Sequence, residues 1–275
     1  MRRSLAVALL ALATAPVAQA TVRVVEPFPL DEARTGAAIG LAVPGAGPEV
    51  TRQSALNTLL TGVVESSILG GAPAGDAKLA LGAPGGPDVD VVLPPVGTTE
   101  NRRYPIALRG SGPGLLTSDS TRIDGLVSLA DVANGELRVV ANDDPVATLE
   151  RLDDRIDWND RWRLPLTVLL GGVAYLVAVA FPRVAPRVFL VGLALNLWLA
   201  GWWVVALTAL GAALLPLGVA CGTVIAAYLL ALGLDPESVA LSALGPSQAG
   251  RFYGVSNLLA TALLVPALVG ARVLG

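Results

Sequence analysis

Residues 188–234 run for 47 positions without one Asp, Glu, Lys or Arg. At about 1.5 Å per residue such a run would reach roughly 70 Å as a single helix. A bilayer core is only about 30 Å thick and is crossed by about 20 apolar residues. The run therefore predicts a hairpin of two membrane helices, at about 188–210 and 212–234, divided near Gly211. Apolar stretches at 164–181 and 252–271 flank it, so residues 164–275 read as an all-α transmembrane bundle of about four helices. Pro216 is expected to bend the third of these near its start. Gly218, Gly222 and Ala226 recur at every fourth position of that helix, a small-residue face of the kind that lets helices approach closely.

The N-terminal pattern is different. Residues 1–20 carry Arg2 and Arg3, then an apolar stretch, then Ala18-Gln19-Ala20, which reads as a secretory signal with an A-x-A cleavage site or as an uncleaved anchor. From 21 to 163 short apolar runs alternate with helical ones. A buried strand is expected at 38–43, ended by the turn-rich 44–48, and further strands at 78–81, 89–93, 106–108 and 137–141, most of which carry β-branched residues. A helix is expected at about 51–66, with Leu56, Leu59, Leu60, Val63 and Val64 on one face. Asn142 or Asp143 is expected to cap a last helix that has Pro145 in its first turn and Val146, Leu149, Leu152 and Ile156 as its stripe. Strands mixed with helices point to an α/β domain. Trp158 and Trp162 precede the first apolar stretch, either marking a headgroup region or packing the last helix of the domain.

Charge orients this plan. Residues 21–163 hold 20 acidic and 13 basic side chains, a net of −7, which argues against nucleic acid as a partner. Arg183 and Arg187 lie in the short loop after the first span, as the positive-inside rule expects of a cytoplasmic loop. The expected location is a bacterial plasma membrane, with residues 21–163 extracytoplasmic and the 235–251 loop cytoplasmic if all four crossings hold. The chain has one cysteine, so no intrachain disulfide can form, and no histidine at all.

The most distinctive local motifs lie between Tyr104 and Leu137. Tyr104-Pro105-Ile106-Ala107-Leu108-Arg109-Gly110 precedes a glycine-rich turn, then Leu116-Thr117-Ser118-Asp119-Ser120-Thr121-Arg122, then Gly125-Leu126-Val127-Ser128-Leu129-Ala130-Asp131-Val132. This order resembles the C-terminal part of alkaline-phosphatase and sulfatase-like domains. With Gly250-Arg251-Phe252-Tyr253-Gly254-Val255-Ser256-Asn257, it is similar to actinobacterial-type membrane proteins that join such a domain to several spans. The resemblance implies an α/β sheet domain and, in active members, one or two metals held by Asp and His around a nucleophile. This chain departs from it. Ala133-Asn134-Gly135-Glu136 stands where a Pro-Thr pair is expected, and no histidine can serve as ligand or base. Ser118, Ser120 and Thr121 have no base nearby in sequence, so loop capping is their expected role.

Asp153, Asp157 and Asp160 could offer oxygens to a divalent cation, but they share one helix face, where Asp157 can pair with Arg161. No cofactor is expected. Within the spans, Asn196, Thr223, Ser256 and Asn257 are the polar groups, and hydrogen bonding between helices is their ordinary use. Arg251, Tyr253 and Asn257 are the candidates for a contact with lipid or substrate. No charge lies mid-span for a small transporter to use. The expected partners are the bilayer, with envelope components or another membrane protein. The expected activity is non-catalytic binding or assembly in the envelope, with a metal-dependent phosphate- or sulfate-ester hydrolase or transferase as the alternative.

Overall fold

The structure is a computed structural model that describes residues 21–33, 36–47, 49–64, 88–99, 101–245 and 257–274. Among these, seven strands form one mixed sheet: β1 (Thr21–Val25), β2 (Ala37–Val43), β3 (Asp88–Val92), β4 (Tyr104–Arg109), β5 (Gly114–Ser118), β6 (Leu126–Ser128) and β7 (Leu137–Val140). The spatial order is β1-β3-β4-β2-β5-β7. β2 lies inside, antiparallel to β4 and parallel to β5 along its first half, then parallel to β6 along its second. Gly125 makes that exchange possible. Its φ is +93°, its N–H donates to the Leu116 carbonyl, and its own carbonyl accepts from Leu41 N–H at 2.7 Å. A Cβ there would stand 2.5 Å from Leu149, so only glycine fits.

The four strands expected at 38–43, 89–93, 106–108 and 137–141 are present as β2, β3, β4 and β7, while 78–81 lies outside the described residues. β1, β5 and β6 were not anticipated. β5 is buried along its whole length and follows a glycine-rich turn, so no alternation marks it, and β6 has only three residues.

Alternate side chains of β2 supply two cores. Ile39, Leu41 and Val43 pack with Leu149, Leu152 and Ile156 of α4 (Pro145–Ala180). Ala38 and Ala42 face the opposite layer, where α2 (Arg52–Thr61) brings Ala55 and Leu59, and α3 (Leu129–Asn134) brings Leu129 and Val132. A single turn, α1 (Leu30–Ala33), precedes β2. α2 is shorter than the expected 51–66 because Thr51 caps its start and Gly62, at φ +68°, ends it, which leaves Val63 exposed. The cap of α4 is Asp144, whose side chain accepts from Ala147 N–H; Asn142 instead braces Asp144, its Oδ1 accepting from the Asp144 N–H.

The C-terminal part is helical: α5 (Ala185–Leu195), a 3-10 turn (Trp198–Ala200), α6 (Trp202–Leu214), α7 (Leu217–Leu234), α8 (Pro236–Ala240) and α9 (Asn257–Leu274). Among the described residues, two helices, α4 and α7, are long and apolar enough to cross a membrane. The expected single helix over 188–210 does not form. It is two antiparallel helices, α5 and α6, that part at 196–201, where Gly201 adopts φ +112°. Gly211, the expected division point, lies inside α6, and Pro216 does not bend a helix but separates α6 from α7.

This changes the ends at which the helices meet. α4 and α6 run away from the sheet domain, while α5 and α7 run back toward it. The segment after α7 therefore returns to the domain: Glu237 pairs with Arg155 at 2.7 Å, and Ala240 and Leu241 join the sheet core itself. In a four-span arrangement the 235–251 loop would lie at the opposite end. α9 packs along α7, with Gly270 against Cys221 near the start of α7, so α9 ends far from the domain.

Candidate functional site

Two hydroxyls of the 116–122 motif, those of Ser118 and Ser120, converge on one carboxylate. Asp131 is the third residue of α3 and closes a capping box with Ser128. Its Oδ2 accepts from the Ser118 hydroxyl at 2.7 Å, the Ser120 hydroxyl at 2.6 Å and the Ser128 N–H at 2.9 Å. Thr121 completes the knot, 3.1 Å from Ser118 and donating to the Leu126 carbonyl. Asp131 is 3 % exposed, and Ser118 and Thr121 are not exposed at all. A buried carboxylate must be matched by donors, and here two hydroxyls and a backbone N–H tie the end of β5 to the start of α3. Sequence distance hid the partner, since Asp131 lies 13 residues from Ser118. Beside the knot opens a cleft of about 390 Å³ that includes Asp119, Arg122, Asp124 and Arg138, with Arg122 in the left-handed region at φ +56°.

The acidic face of α4 encloses a cation from the chain itself. Arg103, at the start of β4, reaches Asp153 at 2.5 Å, Asp157, and Asp160 at 3.8 Å. Asp157 therefore faces Arg103 across the fold rather than pairing with Arg161 along its helix. The Arg103 side chain is 10 % exposed. Burial works against its charge, but Asp153 and Asp157 outweigh that and hold its pKa above the ordinary arginine value. A guanidinium thus takes the place considered for a metal ion. Among the described residues, no group of three or more His, Cys, Asp or Glu side chains is arranged to hold one.

The small-residue face of α7 is also corrected. Gly218 is buried, but Gly222 and Ala226 are exposed, and the interior stripe runs through Ala220, Cys221, Val224, Tyr228 and Ala231. Steps of four advance about 40° beyond a full turn, so the three small residues drift off one face. Arg251 and Tyr253 lie outside the described residues, and Asn257 begins α9.

A polar junction that the sequence marked only by Asn196 joins the helices to the domain. The Asn196 amide donates to Tyr228 Oη and Ser242 Oγ, both at 3.0 Å, and its oxygen accepts from Leu244 N–H at 3.1 Å. Tyr228 donates onward to the Leu193 carbonyl. From the domain side, Asn159 donates to the carbonyls of Leu241 and Ser242. Every side chain in this chain of bonds is buried, where hydrogen bonds must be kept or their loss paid in full desolvation. Above it, Trp158 meets Trp198 edge to face at 5.5 Å. Thr223, by contrast, donates to the Val219 carbonyl of its own helix and, among the described residues, to no other helix. A lone Asn in an apolar run was the one available signal; its partners are 32 and 46 residues away.

No protein-family model, curated protein or solved structure matches the chain.

Proposed function

We propose that the chain is an integral protein of a bacterial plasma membrane whose exported α/β domain binds envelope components without catalysing a reaction. The observation that carries this reading is the continuity of domain and helices. α4 serves both, and Ala240, Leu241 and the partly buried Leu199 pack into the sheet core. A domain mounted in this way stands at a fixed height and angle, which serves binding or assembly at a set distance from the bilayer.

The distribution of side chains supports the orientation. All five tryptophans, at 158, 162, 198, 202 and 203, fall at the domain end of the helices. Indole rings favour the membrane interface. At the far end lie Arg183, Arg187 and Arg272, the cationic side expected of the cytoplasm. Arg187 also donates to the Leu215 carbonyl at 2.9 Å, meeting the orphan acceptors at the end of α6. α5 and α6 extend only about 16 and 20 Å, so the two passes they make between these ends are shorter than a bilayer core of about 30 Å.

The burial of Ser118 and the matching of Arg103 to its three carboxylates favour binding over ester hydrolysis. Two measurements test the reading. A cysteine at Asp119 should react with a membrane-impermeant maleimide in intact cells, while one at Arg183 should react only after lysis; the reverse pattern would reject the orientation. The purified full chain should not turn over generic phosphate or sulfate esters with added Mg²⁺ or Zn²⁺. Turnover abolished by Ser120→Ala would establish the hydrolase reading instead.

A further inference from the structure

Between α4, the loop before β6 and α8 runs a groove in two adjoining parts. The first, about 260 Å³, is lined by Trp158, Trp198, Leu199 and Leu241, with Asp154 and Arg155 at its rim. The second, about 310 Å³, shares Asp154 and Arg155 and adds Asp124, Thr148, Arg151 and Glu237. One part is apolar and the other charged, and they meet at Asp154 and Arg155.

The charges in the polar part are only partly matched internally. Among the described residues, Arg151 donates to the Ala147 carbonyl and the Thr148 hydroxyl of its own helix and forms no ion pair. Asp124 and Asp154 form no ion pair among the described residues, whereas Arg155 is held by Glu237 at 2.7 Å. Burial raises the pKa of Glu237 against the pull of Arg155, and the neighbouring Asp235 and Asp124 carboxylates raise it further. Among the described residues, the groove thus presents one guanidinium and two carboxylates without an ion-pair partner, and an apolar floor. An anionic headgroup would meet the carboxylates unfavourably, and a purely cationic ligand would leave Arg151 unmatched. A zwitterion carrying phosphate and ammonium a few atoms apart answers both.

We propose that this groove holds one phospholipid of the phosphatidylethanolamine type. The phosphate lies on Arg151 and the remaining donors of Arg155, the ammonium lies between Asp124 and Asp154, and an acyl chain lies over the Trp158–Trp198 pair. Guanidinium recognises phosphate through several donors at once, and indole supplies an amphipathic floor where chain and headgroup meet. The inference rests on the membrane reading above.

The test uses the full chain, purified in mild detergent, delipidated, and offered equal amounts of phosphatidylethanolamine and phosphatidylglycerol before native mass spectrometry. One phosphatidylethanolamine should remain bound, preferred about tenfold over phosphatidylglycerol. The double variant Arg151→Gln with Asp154→Asn, both positions being exposed, should fold as the parent does and lose the preference. Trp198→Ala should weaken retention of both lipids. Equal or greater retention of phosphatidylglycerol, or no retention of either, would overturn the proposal. Alkaline carbonate extraction separates the two readings: release from membranes rejects the membrane reading, whereas an integral chain without lipid preference rejects the groove alone.

Discussion

The two halves of α4 are one helix built for two surroundings. Over 145–163 the apolar positions form a stripe: Leu149, Leu152 and Ile156 are 0 %, 4 % and 1 % exposed, with Asp153, Asp157 and Asp160 alongside for Arg103. Over 164–180 the apolar residues go all the way round, and Val168, Leu169 and Leu176 are each more than 60 % exposed. Nothing interrupts the backbone between them, and Pro165 is accommodated inside the helix. The same hydrogen-bonded rod is therefore stabilised by a packed core at one end and, in the proposed setting, by lipid at the other. A stripe tells where a core lies; all-round apolarity tells only that water is not the solvent.

Substitutions that are chemically identical should separate the halves. Leu149→Ala is expected to cost about 2–5 kcal/mol, because it opens a cavity in the sheet core. Leu169→Ala should change stability by no more than about 0.5 kcal/mol. Thermal unfolding of the full chain in detergent measures both, and comparable losses would erase the distinction. Asn159→Ala acts at the boundary, where it removes the donor shared by the Leu241 and Ser242 carbonyls. A loss of roughly 1–3 kcal/mol is expected, with hydrogen exchange accelerating in 236–242 while β2 stays protected. Uniform acceleration throughout would show that the junction is not a separate unit.

The smallest effect concerns Glu237. Its folded pKa is raised, so the stability it contributes is complete below the ordinary carboxylate range and is lost as pH rises through the raised value. Glu237→Gln lacks this loss. Relative to the parent, the variant should therefore gain stability from about pH 4 to about pH 7. The carboxylate side chain is 36 % exposed and screened by solvent, so the gain should stay under about 0.5 kcal/mol. Melting temperatures across that range decide it; a relative decline toward neutral pH would mean that the bond to Arg155 dominates.

What the sequence made legible was local. Leu149, Leu152 and Ile156 announced a buried helix face through spacing alone, β2 announced itself as a short apolar run ended by a proline- and glycine-rich turn, and β3 by a β-branched run. What it hid was long-range. Arg103 lies 50 residues from Asp153, and no pattern along the chain links a cation before one strand to carboxylates on a later helix. The partition of 188–210 was hidden for a different reason: apolarity there is uniform. The break comes from Gly201 and from an Asn196 whose partners are assembled only by the fold. Asp131 stood within the recognised motif, but its hold on Ser118 depends on β5 and α3 being brought side by side.

In mechanical terms, α4 is a beam about 54 Å long that is clamped near its middle. Arg103 grips three carboxylates on one side of the beam, and Asn159 and Arg155 fasten the return segment on another. A flexible tether would absorb any pull on the domain, but a clamped beam passes it on as rotation. A tilt of only about 5° displaces one end by about 5 Å relative to the other. Load applied at the sheet would thus be felt by α5 and α7 through the Asn196 and Ser242 bonds.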